Sequence, residues 1–246
     1  MPMTPTSVLF IALALLLPLP ALAGPPYVTD DPAPTDYRHY EIYVFGSGTH
    51  TADGTGGATG LDISYGAAPD LQLSVTLPIA YDHPRGSPFV GGPGNIEIAT
   101  KYRFLHQEDV GVDVAVFPRI FLPSISHRVG EQHATFFLPV WIGKHTGSWG
   151  AFGGGGCAIN RGGGSRNYCL FGWAVTYKPS EKLEVGVELY HQTPGAVGAR
   201  HTTSVGVGAH YDVNETFHLV GSIGSGIQNA SQTNQMSWYT ALLLTF

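Results

Sequence analysis

Nine charged side chains occupy the polar face of sequence segments whose other face is apolar. In these segments polar and apolar residues alternate one by one, and an extended strand sends successive side chains to opposite faces. If the apolar face contacts lipid, the charges must line the enclosed side, because a charge facing lipid near the bilayer midplane costs about 2–4 kcal/mol. The nine residues are Glu41, Asp62, Glu97, Lys101, Arg103, Asp113, Arg119, Glu184 and Glu188.

Charges enclosed in this way can have two roles, and the sequence does not decide between them. Lys101 and Arg103 follow Glu97 on the same strand face, and opposite charges pair where water is scarce. The set is therefore either a selectivity lining for a solute or a salt-bridge network that holds the interior closed. Five aromatic residues share the inward face, where they would either suit a small aromatic solute or fill the space. They are Tyr43, Phe45, Phe117, Phe121 and Tyr190.

The chain contains two cysteines, Cys157 and Cys169. They flank a loop predicted at residues 158–167 and lie at the facing ends of two adjacent predicted strands. A secreted chain meets an oxidising compartment, so we expect a disulfide between them rather than two free thiols.

The sequence carries no recognisable motif of an enzyme, a metal site or a phosphate-binding loop. H-E-x-x-H and G-x-S-x-G are absent, and the glycines at 153–156 are not followed by Lys and then Ser or Thr. Ser204 and His201 share a predicted strand, but three residues apart their side chains lie on opposite faces, a poor geometry for a catalytic pair. We therefore expect no catalytic residues, no cofactor and no metal.

The charged and aromatic residues must be positioned by strands. Polar and apolar residues alternate with a period of two from residue 39 to the end of the sequence, which indicates such strands. Twelve such segments, with lengths suited to tilted membrane strands of about 9–11 residues, predict an all-β fold. The specific prediction is a transmembrane, antiparallel, up-and-down β-barrel. The predicted strands are 39–48, 58–68, 71–82, 94–105, 109–122, 134–146, 147–157, 168–178, 182–192, 202–212, 216–227 and 235–246.

The connections between these strands alternate between short and long. Outer-membrane barrels have short periplasmic turns and longer external loops, so five short turns and six long loops place both termini in the periplasm. The turn between the fourth and fifth strands is predicted at residues 106–108. The long loops are predicted near residues 49–57, 83–93, 123–133, 158–167, 193–201 and 228–234.

Aromatic residues end alternate predicted strands, as an interfacial girdle requires. Five of the six strands that descend to the periplasm end on an outward aromatic, and the strand 134–146 has Lys144 there instead. The five are Tyr65, Phe104, Tyr177, Tyr211 and Phe246. Phe246 also ends the last strand, and a terminal aromatic there resembles the sorting signal that the outer-membrane barrel assembly machinery reads.

The composition indicates a chain embedded in lipid rather than dissolved in water. Charged residues are 12% of the chain, about half the usual share of roughly 25%, and glycine accounts for 33 of 246 residues. The net charge of −6 and the lack of a basic cluster argue against a nucleic-acid partner. A soluble periplasmic β-sandwich is the alternative fold.

Two segments precede the barrel, which we assign to residues 39–246. Residues 1–23 combine an apolar run with a small-x-small end and are predicted to be a cleaved signal peptide. Residues 24–38 are Pro-rich and acidic and cannot form a regular helix. They are predicted to be either a periplasmic arm or a plug of the lumen, and a plug would pair with Arg103 or Arg119.

Several short segments after residue 23 match the pattern of a known family. They include residues 26–32, PYVTDDP, and residues 71–81, LQLSVTLPIAY. Residues 94–104 carry G-N-I-E followed by K-Y-R-F, with Asn95 where the family usually has Asp. With these segments the chain resembles the outer-membrane proteins of the meta-pathway of phenol degradation. The resemblance implies a transporter-like barrel and a link to the uptake of aromatic hydrocarbons.

The strands, the enclosed charges and the resemblance together predict a channel for passive uptake of small hydrophobic or aromatic solutes. The expected partners are outer-membrane lipid, the assembly machinery that reads Phe246, and the small-molecule solute. Two alternatives stay open. One is a structural or adhesive barrel with a closed lumen, and the other is an outer-membrane enzyme that modifies lipids.

Overall fold

The structure, a computed structural model, describes residues 26–126 and 128–246. The predicted signal peptide, residues 1–23, lies outside the described residues. Among the described residues no helix has the length and apolar character needed to cross a bilayer. The helices are α1 (Gln107–Val110) and α2 (Ala230–Thr233). The strands are β1 (Tyr40–Thr51), β2 (Gly54–Ala68), β3 (Leu71–Pro84), β4 (Val90–Pro93), β5 (Glu97–Leu105), β6 (Asp113–Val116), β7 (Arg119–Phe121), β8 (Thr135–Thr146), β9 (Trp149–Asn160), β10 (Tyr168–Ser180), β11 (Leu183–Gln192), β12 (Thr202–Asp212), β13 (Phe217–Gln228) and β14 (Met236–Thr245).

These strands close into an antiparallel barrel with twelve strand positions, which confirms the predicted fold class. β4, which lies in the loop predicted at 83–93, shares one position with β5, and both pair with β3. β6 and β7 share another position between β5 and β8. The first and last strands meet, because β1 pairs with β14 as well as with β2.

At the fifth strand position the structure has two short strands, β6 and β7, in place of the single strand predicted at residues 109–122. This position is preceded by helix α1, which ends at Gly111 in the left-handed conformation (φ 86°), so the turn is longer than the predicted 106–108. Pro118 has no backbone N–H to donate, and it interrupts the ladder between β6 and β7. The alternation survives this interruption, and the side chains of Phe117 and Arg119 are both buried inside the barrel.

The prediction of a long external loop at residues 49–57 is wrong. β1 continues to Thr51 and β2 begins at Gly54, so a two-residue turn joins them. The Thr and Gly residues of this stretch suggested a loop, yet the ladder pairs Thr49 with Gly56. Composition misleads here because a strand that extends beyond the lipid into water needs no apolar face.

Aromatic rings collect at the end of the barrel where β1 begins and β14 ends. We call it the periplasmic end, because the sequence predicts the short turns there and outer-membrane barrels direct such turns to the periplasm. The five residues predicted for the girdle end their strands there, and three more join them: Tyr40, Trp149 and Phe217. Ring centroids lie 4.6 Å apart in the pair Tyr40–Tyr65 and 4.7 Å apart in the pair Trp149–Tyr177. The girdle therefore draws on ascending as well as descending strands.

The two cysteines lie opposite each other on β9 and β10. Cys157 is the register partner of Cys169, and their Sγ atoms form a disulfide with an S–S distance of 2.00 Å. The bond lies close to the external ends of both strands. It therefore ties the base of the loop between β9 and β10.

The outward face of β11 tests the assignment of the lipid surface. Val187 lies midway along this strand and is 56% exposed on the outside. We expect Val187→Arg to lower the free energy of unfolding by about 2–4 kcal/mol, because it places a charge on the lipid face near the midplane. The measurement is equilibrium unfolding by guanidinium chloride of protein folded in phospholipid vesicles.

The matched control is Leu183→Arg, on the same outward face at the periplasmic end of β11. A charge near the interface should cost about 0–1 kcal/mol. Equal costs for the two variants would contradict the placement of Val187 at the bilayer midplane.

Candidate functional site

The N-terminal segment, residues 26–38, lies inside the barrel. It enters at the periplasmic end, where Arg38 N donates to Gly66 O at 2.8 Å. Thr29 and Asp30 are 1% and 0% exposed, so the middle of the segment is enclosed like a protein core. Residues 26–38 therefore lie within the lumen of the barrel in this structure.

The carboxylate of Asp30 binds two cationic side chains of the wall. Its Oδ1 atom lies 2.9 Å from Lys101 Nζ, and its Oδ2 atom lies 2.6 Å from Arg119 Nη2. All three side chains are buried, and charges buried in this way are tolerated when they are paired and hydrogen-bonded. Of the two predicted partners of a plug, Arg119 therefore binds the segment and Arg103 does not.

Polar side chains of the wall also satisfy the backbone of the N-terminal segment. The Glu188 carboxylate accepts hydrogen bonds from Val28 N and Thr29 N, at 3.0 and 3.1 Å. Gln72 Oε1 accepts a hydrogen bond from Thr35 N at 2.8 Å. Buried N–H groups are costly to leave unpaired, so these wall residues fix where the segment crosses the lumen.

Glycines of the wall make room for the N-terminal segment. A Cβ atom at Gly172 would overlap Thr29 Oγ1, and one at Gly186 would overlap the Tyr27 hydroxyl. A Cβ atom at Gly208 would lie 2.8 Å from the Tyr27 ring. The inward face is bare at these positions because a side chain of the segment occupies the space.

Tyr27 anchors the start of the segment as a neutral phenol. Its ring lies 6.1 Å from that of Phe152, measured between centroids. Burial raises the pKa of the Tyr27 hydroxyl well above its ordinary value, and the nearby carboxylates Glu184 and Glu188 raise it further. The protonated hydroxyl donates to Gly208 O at 3.3 Å.

A cavity of about 300 Å³ lies between the segment and the periplasmic half of the wall. Six carboxylates line it against the two cations Lys101 and Arg119. Among the described residues, Asp62 Oδ1 and Glu97 Oε2 are buried without a protein hydrogen-bond partner. The cavity is therefore acidic and offers acceptor atoms to an N–H or O–H group. The six carboxylates are Asp30, Asp31, Glu41, Asp62, Glu97 and Glu184.

Three of the predicted lumen charges, Arg103, Asp113 and Glu184, form ion pairs at the periplasmic mouth. Arg103 Nη2 lies 2.7 Å from Asp70 Oδ1, and Arg103 Nη1 lies 3.7 Å from Asp113 Oδ1. Glu184 pairs with Lys178 on β10 at 3.3 Å. These pairs join neighbouring strands and turns and do not hold the segment.

Asp70 anchors the turn between β2 and β3. It accepts two hydrogen bonds from Arg103, and His106 Nε2 lies 3.0 Å from its other oxygen. Burial alone would raise the pKa of Asp70, but the hydrogen bonds from Arg103 and His106 outweigh it and hold the pKa below its ordinary value. The carboxylate therefore stays ionised and cross-links two periplasmic turns.

Aromatic side chains fill the lumen on the external side of the N-terminal segment. Val28 packs there against a cluster around Phe137 and Leu170. On the periplasmic side the rings of Tyr43 and Phe117 line the cavity, and the guanidinium carbon of Arg119 lies 4.0 Å from the centroid of the Phe117 ring. The inward aromatics that the sequence predicts are all buried or partly buried: Tyr43, Phe45, Phe117, Phe121 and Tyr190.

Ser204 and His201 are not brought together. Ser204 is buried, and its hydroxyl accepts a hydrogen bond from Asn234 Nδ2 at 3.2 Å. The ring of His201 lies against that of His191, with 5.6 Å between centroids. This pair therefore has no catalytic geometry.

Sequence reasoning missed Asp30, the residue on which the site is centred. One signal was available: Lys101 and Arg119 are two cations on the inward face, and Asp30 and Asp31 are adjacent carboxylates in the Pro-rich residues 24–38. Predicting the ion pairs between these cations and Asp30 required knowing that the N-terminal segment enters the lumen. Alternation carries no information about a segment that forms no strand.

The closed antiparallel barrel with a polar, occupied lumen defines a β-barrel of the outer-membrane type. Residues 43–242 match the sequence model of the family described as putative MetA-pathway of phenol degradation, and the chain belongs to this family. The resemblance stated from the sequence is thereby confirmed. No curated protein matches the chain.

Solved structures show the same fold at low sequence identity. An outer membrane channel from Pseudomonas putida F1 has a TM-score of 0.73 and 13% identity, covering 88% of this chain and 98% of that chain. The KdgM porin, solved in complex with disordered oligogalacturonate, has a TM-score of 0.59 and 10% identity, covering 84% and 99%. The NanC porin has a TM-score of 0.57 and 9% identity, covering 84% and 98%.

The ion pairs of Asp30 generate a prediction about the segment. We expect Asp30→Asn to loosen it, because Lys101 and Arg119 lose their counter-charge from the segment, and breaking a buried pair costs about 3–5 kcal/mol. The measurement is amide hydrogen exchange at Val28 and Thr29, which should become about 10²–10⁴-fold faster.

Asp31→Asn is the matched control, because this neighbouring carboxylate is 40% exposed and lies 3.9 Å from Lys101. In Asp31→Asn the amide exchange rates of Val28 and Thr29 should stay close to those of the unaltered protein. Slow exchange in Asp30→Asn would show that the ion pairs do not hold the segment.

Proposed function

We propose that the protein is an outer-membrane channel that the N-terminal segment closes and that opens when the segment moves out of the lumen. The observation that carries the proposal is the polar character of the contacts between segment and wall. Asp30 binds Lys101 and Arg119, and Glu188 binds two backbone N–H groups. Water can replace each of these contacts, because every wall group involved is charged or hydrogen-bonding.

A barrel that stays permanently closed does not need polar contacts between the N-terminal segment and the wall. Replacing a buried ion pair with apolar residues of similar volume is often neutral or stabilising. An apolar plug would therefore seal the lumen at least as well. A wall that keeps Lys101, Arg119 and Glu97 instead suits a path that fills with water once the segment has left.

We further propose that the solutes are small aromatic molecules with a polar group, of which phenols are the first candidates. Two features of the lumen support this choice. Aromatic rings lie on the external side of the segment, and the cavity on its periplasmic side offers carboxylate oxygens such as those of Asp62 and Glu97. A phenol could pack its ring against the first and donate its O–H group to the second. The family description, which refers to phenol degradation, agrees with this class.

The proposed location is the bacterial outer membrane. The predicted signal peptide at residues 1–23 would deliver the chain, and Phe246 would be read by the barrel assembly machinery. The aromatic girdle and the fold that the chain shares with outer-membrane channels and porins support this location.

One observation favours a second candidate, a structural barrel with a lumen that stays closed. Asp30 is fully buried and bound by two cations, so leaving the lumen requires both ion pairs to break. A segment held this firmly could equally serve as a permanent core of the barrel. Conductance separates the two candidates.

The test is single-channel conductance in planar bilayers for the intact protein, for a deletion of residues 24–38, and for Asp30→Asn. We expect brief, rare openings in the intact protein, because the segment must break both ion pairs to leave. The deletion should conduct steadily, and Asp30→Asn should raise the fraction of time spent open. Asp31→Asn, which leaves both ion pairs intact, should behave like the unaltered protein.

Absence of conductance in all variants, each shown to be folded, would favour the structural barrel.

The solute class is tested separately in liposomes that contain the deletion variant. Faster entry of phenol than of an uncharged sugar of similar size would support the proposed solutes. Equal rates would contradict them while leaving the channel proposal standing.

A further inference from the structure

Three side chains with metal-ligand chemistry meet at the periplasmic mouth, and we call them the rim cluster: His210, Asp212 and His218. His210 Nε2 lies 2.9 Å from Asp212 Oδ1, and His218 Nδ1 lies 2.5 Å from the same oxygen. His210 and Asp212 lie among the last three residues of β12, His218 is the second residue of β13, and the ladder pairs Asp212 with His218. All three are partly exposed, so an ion from the periplasm can reach them.

The hydrogen bonds of His218 determine which of its ring nitrogens carries a proton. Thr245 donates its single hydroxyl proton to Glu215 O at 2.9 Å, because a carbonyl oxygen can only accept. Thr245 Oγ1 must then accept a hydrogen bond from His218 Nε2, which lies 2.9 Å away. In a neutral imidazole Nδ1 is therefore the unprotonated nitrogen, and its lone pair is directed at the Asp212 carboxylate.

Two electron-rich atoms at this separation require a positive charge between them, which is either a second proton on the His218 ring or a bound cation. His210 brings a second imidazole nitrogen to the same carboxylate oxygen. Two imidazoles and one carboxylate are a donor set that binds divalent first-row metal ions, zinc among them. We propose that the rim cluster binds one divalent transition-metal ion of the zinc type through His210 Nε2, His218 Nδ1 and Asp212 Oδ1.

The distances within the rim cluster fit such an ion after a small adjustment. Two ligand atoms about 2.1 Å from a tetrahedral zinc ion are about 3.4 Å apart. The distance between His210 Nε2 and Asp212 Oδ1 is 2.9 Å and must open by about 0.5 Å. The contact between His218 Nδ1 and Asp212 Oδ1 must open by about 0.9 Å, and rotation of the partly exposed Asp212 carboxylate allows both changes. The ligand atoms of the three residues lie within 4.8 Å of one another.

The surroundings of the cluster also suit a metal site. Metal-bound histidines usually donate their second ring N–H to a fixed partner, and Thr245 accepts that hydrogen bond from His218. Glu184 on β11 is the register partner of His210, so a further carboxylate lies on the neighbouring strand. A bound ion would link β12 to β13 and, through Thr245, to β14.

The test is binding of Zn²⁺ and Co²⁺ to the full chain, folded in detergent and purified without a histidine tag. Calorimetry should give one Zn²⁺ per protein, and the absorption spectrum of bound Co²⁺ should report imidazole ligands. His210→Ala and His218→Ala should each abolish this binding. Thr245→Val, which removes only the partner of His218, should weaken Zn²⁺ binding about 10–100-fold.

His106→Ala is the matched control, since His106 also lies at the periplasmic end and 3.0 Å from a carboxylate, that of Asp70. It should bind Zn²⁺ like the unaltered protein. Folding of each variant is checked by heat-modifiable mobility on gels, and Asp212→Asn, which keeps the side-chain size and should also lose binding, replaces any histidine variant that fails to fold. The proposal is overturned if the unaltered protein binds no Zn²⁺, or if binding is unchanged in the His210 and His218 variants.

Discussion

The burial of the Asp30 carboxylate between Lys101 and Arg119 is the interaction on which the interior of this barrel depends. A carboxylate shut off from water is stable only beside positive charge, and two buried cations on a barrel wall need a carboxylate in turn. Asp30 belongs to the N-terminal segment, whereas the cations belong to β5 and β7. Their pairing therefore carries the segment deep into the lumen, where its N–H groups must find acceptors on the wall, as they do at Glu188 and Gln72.

The wall is shaped to the segment that it encloses. Gly172, Gly186 and Gly208 leave space that Thr29 and Tyr27 fill, so the lumen is not simply a narrow tube. A barrel of twelve strands lies between the small barrels that side chains fill and the large ones that hold an open channel. Here the chain fills its own lumen, with aromatic packing on the external side and an acidic cavity on the periplasmic side. The ion pairs of the mouth form a separate system that joins turns and strand ends.

Sequence patterns predicted the strands well wherever one face had to meet lipid. Alternation is clear in β8 and β10, but Gly153 to Gly156 blur it in β9, which runs three residues past the predicted end at residue 157. The pattern failed where lipid imposes no constraint. The tips of β1 and β2 extend into water, and the break between β6 and β7 depends on Pro118, whose effect on the ladder the hydrophobic period does not report.

The sequence by itself determined the twelve-strand barrel, its girdle and the inward face that carries Glu41, Asp62, Glu97, Lys101 and Arg119. Side-chain direction along a strand has a period of two residues, so it can be read locally. Only the tertiary structure decided which of these charges meet Asp30, and that two histidines and an aspartate converge at the mouth. The first encounter joins residues as distant in sequence as Asp30 and Arg119, and the second depends on the register between β12 and β13. They depend on the stagger of the strands and on the path of a segment with no repeating pattern, and neither is encoded in the alternation of any single strand.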